Sequence, residues 1–387
     1  MFELVETLHN GTVIKVIGVG GAGGNAVDHM IRNGVCGVEF VAANTDAQAL
    51  HRGSAKSQVQ LGTTGLGAGA KPEAGRAAAL EARDEISESL RGAHMVFITG
   101  GMGGGTGTGA APVIAELAKE MGILTVAVVT KPFSFEGAKR LRAAEMGIED
   151  LAQHVDSVIV ILNEKLEEVL GEDVTMEEAF ASADSVLKNA VAGISEIINV
   201  PGLINVDFQD VRTVMAEQGM AMMGSASASG IDRARIAAEQ AVASPLLEGV
   251  NLSGARGVLV NITANRASLK MRETREIMET IRGFAADDAT VILGAVYDDA
   301  MSDELRVTVV ATGLGQPVAA RNPKTLQVVP QKTGTDNFPV LTDAEVYPGD
   351  LSGVIKSKRS RASTIEALQN SGMDKLDIPA FLRKQAD

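Results

Sequence analysis

The sequence predicts a doubly wound α/β domain that is joined by a long helix to a smaller α+β domain. Short apolar runs alternate with helix-like stretches through the first half of the chain, which is the pattern of βαβ units. The runs contain few polar residues, as do the strands of a parallel sheet that is covered on both faces. These runs cover residues 12–19, 38–43, 94–98, 123–129 and 155–162.

The connecting helix is predicted by signals at both of its ends. Thr175 and Glu178 form a capping box, and Pro201-Gly202 ends the helical pattern. Between them, apolar residues recur every 3.6 residues, and about 24 residues give a helix of roughly 36 Å. The predicted divisions are a first domain 1–174, the helix 175–202, a second domain 203–316, a disordered linker 317–372 and a terminal peptide 373–387. In the second domain we expect helices over 231–244 and 271–285 and strands over 257–263, 290–297 and 304–311.

Charge and cysteine content exclude several classes of protein. The chain has 387 residues, a net charge of −14 and a single cysteine. The negative charge argues against bulk binding to nucleic acid or to anionic lipid. Cys36 follows the first helical stretch, beside an apolar run, and we expect a buried core thiol there. No apolar run has membrane-spanning length and no signal peptide opens the chain, so we expect a soluble, cytoplasmic protein.

Three Gly-rich segments follow predicted strands. In residues 98–109, seven of twelve residues are Gly, and further segments lie at 20–25 and 61–72. A loop whose N–H groups converge on an anion needs glycine, because side chains would block the approach. A flexible linker is the alternative, but linkers do not lie between an apolar strand and a helix. We therefore expect a phosphate-binding site at the carboxyl ends of the strands.

Two classes of nucleotide enzyme fit these loops differently. Gly18, Gly20 and Gly23 match the dinucleotide fingerprint of a nicotinamide-dependent oxidoreductase, with Glu39 or Asp46 as the acid that contacts ribose. That class leaves two Gly-rich segments unexplained. A nucleoside triphosphatase uses all three, although no Walker lysine is present, so amides, helix N-termini and Mg²⁺ would balance the phosphate charge. A nucleotide-binding scaffold without hydrolysis is the third alternative.

Two carboxylates three residues apart follow the long helix. Asp207 and Asp210 stand at the start of a predicted helix, on one face. They could polarise water or hold a cation for phosphoryl transfer. Spacing alone is better explained by helix capping and solvation.

Three separated motifs resemble the FtsZ family of bacterial, tubulin-like cell-division GTPases. Residues 103–109 resemble the tubulin signature loop in its bacterial form, and residues 205–211 resemble the family's catalytic loop. The ending 377–382 resembles the family's C-terminal peptide. The resemblance covers about residues 10–316 and 373–387, and it implies a tubulin-like fold.

The resemblance also implies a GTP/GDP site. Phosphates would be held by the segments at 20–25 and 103–109, ribose by Glu136 and Arg140, and guanine by Asn163, Phe180 and Asp184. Mg²⁺ would be held mainly by phosphates and water, without a protein metal site. The implied nucleotide-binding residues are Gly20, Gly21, Asn25, Asn44, Asp46, Gly69, Ala70, Lys71, Gly103, Gly104, Gly105, Thr106, Gly107, Thr108, Gly109, Pro132, Glu136, Arg140, Asn163, Phe180 and Asp184.

Catalysis would be shared between subunits. In the family the catalytic loop belongs to the next subunit, so Asn205, Asp207 and Asp210 would complete a neighbour's site and the chain would polymerise head to tail. Two positions depart from many relatives. Lys71 stands where many carry Asn, beside the expected γ-phosphate, which leaves phosphate release and Mg²⁺ dependence open. Asp184 replaces an Asn found in some relatives, and either side chain suits guanine.

The C-terminal tail is expected to reach other proteins. The resemblance implies membrane-adaptor and regulatory division proteins as partners, and a place in the mid-cell division ring beneath the inner membrane. Anchoring would be indirect, because no membrane-binding helix is evident. The alternative is a tail that packs on its own domain. The expected contact residues are Asp377, Ile378, Pro379, Phe381 and Leu382.

Overall fold

The structure is a computed structural model, and its described residues form one sheet of ten strands. It describes residues 11–171, 173–200, 202, 204, 206–217, 220–244, 255–286, 289–299 and 301–314. The strands are β1 (Ile14–Val19), β2 (Glu39–Asn44), β3 (Ser57–Gln60), β4 (Met95–Gly101), β5 (Leu124–Lys131), β6 (Ser157–Leu162), β7 (Met220–Ser229), β8 (Gly257–Ala264), β9 (Thr290–Tyr297) and β10 (Glu304–Leu314). The helices are α1 (Gly20–Arg32), α2 (Ala47–Arg52), α3 (Pro72–Glu81), α4 (Arg83–Leu90), α5 (Thr106–Glu120), α6 (Ala138–His154), α7 (Asn163–Leu170), α8 (Met176–Asn199), α9 (Phe208–Met215), α10 (Arg233–Val242) and α11 (Met271–Arg282).

The first six strands are parallel and run in the order β3-β2-β1-β4-β5-β6. Their central members are almost entirely buried, because helices cover both faces of the sheet. The order of the strands reverses between β1 and β4, which makes their carboxyl ends a topological switch point. The predicted doubly wound α/β fold is confirmed.

The last four strands form the mixed end of the sheet. β10 pairs antiparallel with both β7 and β8, whereas β8 and β9 are parallel. β7 joins this end to β6 through the pairs Val158–Met220 and Ile159–Ala221. Helix α10 covers one face with small residues, and α11 packs beside it. Strands and helices thus alternate here as the sequence pattern indicates.

Helix α8 packs against strands of both the parallel part and the mixed part of the sheet. Its capping box forms as predicted, since the Thr175 hydroxyl accepts from the Glu178 N–H and the Glu178 carboxylate binds back to the N–H of Thr175. Its apolar face packs in the core beside the parallel strands. At its C-terminal end, Asn199 donates to the carbonyl of Gly37 at 2.7 Å, while Gly193 lies against Thr308 of β10.

Several elements differ from the sequence-based expectation. Helices α1 and α5 begin at Gly20 and Thr106, inside Gly-rich segments for which loops were expected. Glycine and proline disfavour helix in isolation, but tertiary packing overrides that preference here. Strand β3 was not expected because only one of its side chains is buried, and β7 because it is rich in Ala, Ser and Met rather than β-branched residues. The residues after the third Gly-rich segment form two helices, α3 and α4, which meet at Ala82.

The prediction for Cys36 is wrong. The side chain is exposed in the turn between α1 and β2, and its Sγ donates to the carbonyl of Gly34 at 3.2 Å. Gly34 and Gly37 both have positive φ, and the turn that they form carries Cys36 away from the apolar strand. None of the helices that the structure describes combines the length and hydrophobicity that a bilayer crossing needs.

A buried ion pair ties α10 to α11. The Arg233 guanidinium donates to both carboxylate oxygens of Glu273, at 2.8 and 3.1 Å, and also binds Ser268 and Asp303. The Arg233 and Glu273 side chains are only 3% and 6% exposed. Burial opposes ionisation of Glu273, but hydrogen bonds from Arg233 and from the Lys270 N–H outweigh it and lower the pKa of that carboxyl. Both groups are therefore charged and fully paired.

We expect Glu273→Gln to destabilise the fold by about 3–5 kcal/mol, because it leaves the Arg233 charge buried without its counter-charge. Glu239→Gln is the matched control, since the pair of Glu239 with Arg235 lies on the exposed side of α10 and should contribute less than about 1 kcal/mol. Urea unfolding without nucleotide measures both. Equal losses of unfolding free energy in Glu273→Gln and Glu239→Gln would contradict the assignment of Arg233 and Glu273 as a buried, charged pair.

Candidate nucleotide-binding site

A cavity of about 330 Å³ opens at the carboxyl ends of the parallel strands. Its walls come from the first turns of α1 and α5, the segment after β5, the start of α7 and one face of α8. The structure thus brings together residues from segments far apart in the chain. The predicted site residues that line it are Gly20, Gly21, Gly69, Gly104, Gly105, Thr106, Gly107, Pro132, Glu136, Arg140, Asn163, Phe180 and Asp184.

The N-termini of two helices meet at one end of this cavity. Neither α1 nor α5 has an acidic residue in its first turn, so the positive ends of both dipoles are left uncompensated. A Cβ added to Gly104 would meet no atom within 4 Å, so the absence of a side chain there leaves open space in the cavity. This end has the backbone donors and the room that a chain of phosphates needs.

Other glycines of the same loop are required by packing inside the protein. A Cβ on Gly109 would overlap the Pro72 carbonyl oxygen, and one on Gly105 would overlap that of Gly69. These contacts let α5 pack closely against α3. Thr108, expected at the phosphates, accepts a hydrogen bond from the Gly103 N–H at 2.8 Å, and its side chain is buried. Gly103, Thr108 and Gly109 therefore shape the loop without lining the cavity.

The opposite end of the cavity has aromatic and charged walls. The ring of Phe180 lies edge-on to Phe133 with centroids 5.5 Å apart. Glu136 forms an ion pair with Arg140 one turn later, and its other oxygen accepts from the Phe133 N–H at 3.0 Å. The carboxylate is thus fixed by two neighbours, and the exposed face of Phe180 is available for stacking.

Two polar side chains at this end are suited to a ligand that carries N–H donors. Asn163 is 4% exposed, and its Oδ1 has no hydrogen-bond partner among the residues that the structure describes. Burial raises the pKa of Asp184 to about 6, although the positive charge of Arg32 acts in the opposite direction. A buried acceptor beside a desolvated carboxylate is a suitable environment for adjacent N–H donors.

A second cavity of about 400 Å³ adjoins the phosphate end. It shares Gly20 and Gly21 with the first cavity and is lined by Asn25 and Asn44. Asp46 lies just beyond, where its carboxylate caps α2 by accepting from the N–H groups of Gln48 and Ala49. The Asp46 carboxylate therefore already caps α2, and it would have to contact the ligand while keeping these hydrogen bonds.

The third Gly-rich segment packs against the end of β2. The Gly67 N–H donates to the Thr45 carbonyl at 3.0 Å, and the Thr45 hydroxyl forms a 2.6 Å hydrogen bond with that of Thr106. Ala70 and Lys71 are exposed and line neither of the two cavities. Thr45 therefore connects this segment to Thr106 at the phosphate end, since it bonds to both Gly67 and Thr106.

The two candidate catalytic acids lie away from the cavity. Asp207 caps α9, and its Oδ1 accepts from the Asp210 N–H at 2.8 Å. The ring of Phe208 packs edge-on against His94, which precedes the amino end of β4. Because the cavity is at the carboxyl end of β4, a strand of about seven residues, or about 20 Å, separates the two. Asn205 and the tail residues at 377–382 lie outside the described residues.

Sequence reasoning missed a contact between α1 and α8. His29 of α1 forms a 3.2 Å hydrogen bond with Ser185 of α8, next to Asp184. The two residues are 156 positions apart, and neither belongs to a motif. No signal in a single sequence could have paired them.

Two protein-family profiles match this chain. The profile of the Tubulin/FtsZ family, GTPase domain, matches residues 13–171, and that of the FtsZ family, C-terminal domain, matches residues 219–315. "Cell division protein FtsZ" of Pseudomonas aeruginosa is 56% identical over 100% of both chains, and that of Coxiella burnetii is 54% identical over 99% of both.

Solved structures are similar as well. The structure of "FtsZ dimer, empty (M. jannaschii)" matches with a TM-score of 0.74 and 44% identity, covering 78% of this chain and 88% of that one. The structure of "CetZ2 from Haloferax volcanii - GTPgS bound protofilament" has a TM-score of 0.68 at 22% identity over 79% of this chain and 95% of that one, which shows the fold alone. The oxidoreductase alternative is set aside, because the chain belongs to the FtsZ family of tubulin-like cell-division GTPases.

Proposed function

We propose that the chain hydrolyses GTP in an active site completed by two copies stacked head to tail, and that this stacking builds the filaments of the division ring. One observation carries the proposal: the nucleotide cavity and the acids Asp207 and Asp210 lie at opposite ends of the same sheet. A chain therefore cannot bring its own acids to its own nucleotide without disrupting the strands between them.

Stacking of one end on the other generates an open assembly. The cavity end of one subunit meets the α9 end of the next, so the two surfaces differ and the contact is heterologous. A heterologous contact that does not close repeats without limit, which gives a filament. The M. jannaschii structure that is 44% identical to this chain is described as an FtsZ dimer, and this supports contact between copies here.

The cavity suggests how GTP would lie. Phosphates would occupy the meeting point of α1 and α5, and ribose would contact Glu136 and Arg140. Guanine would stack on Phe180 and donate its N1–H and 2-amino group to Asp184, a pair of donors that adenine lacks. The unsatisfied Oδ1 of Asn163 would accept a further hydrogen bond from the base.

Hydrolysis needs a positioned water and a means of stabilising phosphate charge. The neighbouring subunit's Asp207 and Asp210 would orient the water and take its proton as its oxygen bonds to the γ-phosphorus and the bond to the β–γ bridging oxygen breaks. Among the described residues no cluster of three His, Cys, Asp or Glu side chains is arranged for a metal. Mg²⁺ held mainly by phosphates and water would supply charge neutralisation, and Gly21 and Gly104, where a Cβ would meet no atom within 4 Å, leave room for it in the cavity.

The tail would connect the filament to the membrane. We propose that residues 377–382 bind adaptor and regulatory division proteins in the cytoplasm, at the mid-cell ring beneath the inner membrane. The support is the sequence resemblance of this peptide alone.

The two kinds of glycine in the loop should respond differently to alanine. Gly109→Ala should cost about 1–3 kcal/mol of stability, because its Cβ would meet the Pro72 carbonyl. Gly104→Ala should leave stability unchanged and weaken GTP binding about tenfold, roughly the value of one hydrogen bond to a charged group. Thermal unfolding without nucleotide and equilibrium GTP binding measure the two effects. If the two variants lost stability equally and GTP affinity equally, the division into glycines required by packing and glycines that face the ligand would be wrong.

Loss of the acids should abolish turnover but spare binding. We expect Asp207→Ala and Asp210→Ala each to lower GTP turnover at least about a hundredfold, since they remove a group that contacts the reacting water. Mixed with an equal amount of an Asp184→Ala variant that binds GTP poorly, Asp210→Ala should recover about a quarter of wild-type turnover, because random stacking restores that share of complete sites. Mixtures as inactive as their parts would show that the site is not shared.

GTP binding should weaken in mild acid. The folded-state pKa of Asp184 is about 6, so the carboxyl gains a proton as the pH falls through that value and loses one of its acceptors for guanine. Affinity should then fall by up to about tenfold per pH unit. Asp184→Asn is neutral at every pH and serves as the control, with a flat profile. A wild-type profile equally flat between about pH 5 and pH 7 would contradict the role of Asp184.

A further inference from the structure

The two helices that line the nucleotide cavity also contact each other below it. Helix α1 begins with Gly20 at the phosphate end, and α8 carries Phe180 and Asp184 at the base end. The fixed length of a nucleotide means that the position of α8 relative to α1 decides whether phosphate and base can be bound together. Contacts between these helices are therefore placed to affect base recognition.

The hydrogen bond between His29 and Ser185 has a definite direction. The Ser185 hydroxyl donates to the carbonyl of Ala181 at 2.8 Å, and a hydroxyl has only one proton to donate. Its oxygen must therefore accept from the Nε2–H of His29, 3.2 Å away. Burial lowers the pKa of His29, and the nearby positive charges of Arg32 and Lys188 add to this effect. Both effects favour the neutral imidazole, and the hydrogen bond with Ser185 favours the tautomer that has its proton on Nε2.

Arg32 lies one turn after His29 on α1. Its charge acts on Asp184, which precedes Ser185 on α8. Its guanidinium Nε donates to the Asp28 carbonyl at 3.3 Å, which holds the side chain along its own helix. Its positive charge favours the ionised form of Asp184 and thereby opposes the effect of burial on the pKa of that carboxyl. Lys188 follows Asp184 by one turn on α8, and the Glu136–Arg140 pair lies elsewhere on the cavity wall. Arg32 is the charge on α1 that acts on the base-reading carboxylate.

We propose that His29 and Arg32, which lie one turn apart on α1, are positioning residues that determine the selectivity for guanine, by holding α8 in register with α1 and placing a positive charge on the α1 side of Asp184. The inference rests on the proposed reading of guanine by Asp184. Neither residue lines the cavity, so neither would touch the nucleotide. They would act on the base through Ser185 and Asp184.

The test compares GTP with ITP, which lacks the 2-amino group and so loses one of the two donors that Asp184 would bind. Equilibrium affinities of both nucleotides are measured on the full chain at about pH 7. His29→Leu removes the donor to Ser185 while keeping bulk, whereas His29→Gln retains an N–H donor. Arg32→Met removes the charge, whereas Arg32→Lys retains it. We expect the Leu and Met variants to lose about threefold to tenfold of the GTP-to-ITP affinity ratio, the range of one hydrogen bond.

The conservative variants and a pH series make the result specific. His29→Gln and Arg32→Lys should keep most of the selectivity, and Arg32→Met alone should raise the pH at which the preference for GTP is lost. A structural defect would weaken GTP and ITP binding equally and would be visible as a lower melting temperature. An unchanged ratio in both His29→Leu and Arg32→Met, with selectivity lost in Asp184→Ala, would overturn the inference and leave the proposed function standing. Equal affinity of the unmodified chain for GTP and ITP would instead refute the reading of guanine by Asp184, and the inference with it.

Discussion

The close approach of α5 to its neighbours is the contact on which the nucleotide site depends. At Gly105 and Gly109 the backbone of α5 lies against carbonyl oxygens of the third Gly-rich segment and of α3, with no room for a Cβ. That packing holds the first turn of α5 beside the first turn of α1. Two helix N-termini, each equivalent to about half a positive charge, then point into the same space. A site without a Walker lysine obtains its positive potential from this arrangement of backbone.

The rest of the molecule sets the distance between the nucleotide cavity and the candidate catalytic acids. A parallel sheet has different ends, and here the cavity lies at one and α9 at the other. The strands between them are almost completely buried, so the separation is rigid. Helix α8 runs along this sheet with Asp184, the proposed contact for the base, in its first half and Asn199, which is bonded to Gly37, at its end. The helix that carries this carboxylate therefore leads to the segment that precedes Asp207.

Local sequence signals predicted the elements whose cause is local. The capping box at Thr175, the apolar parallel strands and the position of the Gly-rich segments all follow from residues near in sequence. The errors arose where distant packing decides the outcome. Strand β7 forms because β10 pairs with it, although its Ala and Ser residues do not favour a strand alone. Cys36 is exposed because two glycines turn the chain outward, which apolar neighbours could not indicate.

The candidate site shows the same division between local and distant causes. Asn163 begins α7, whereas Phe180 and Asp184 lie on α8, and only the resemblance to a known family placed the three at one ligand. The geometry adds what the resemblance did not contain, namely which glycines face the cavity and which face the protein. The contact of His29 with Ser185 depends on how two helices cross, and one sequence carries no record of that crossing.

The capping role of Asp207 supports its proposed part in catalysis rather than competing with it. A carboxylate that accepts from the Asp210 N–H at the start of α9 has a fixed position before any neighbour arrives. Both acids remain exposed, so they meet a neighbour's phosphate end without rearrangement. Groups that are already ordered lose little conformational entropy when they are used. Under the proposed mechanism, turnover then depends on whether two subunits are stacked, and the chemical step needs no movement within either one.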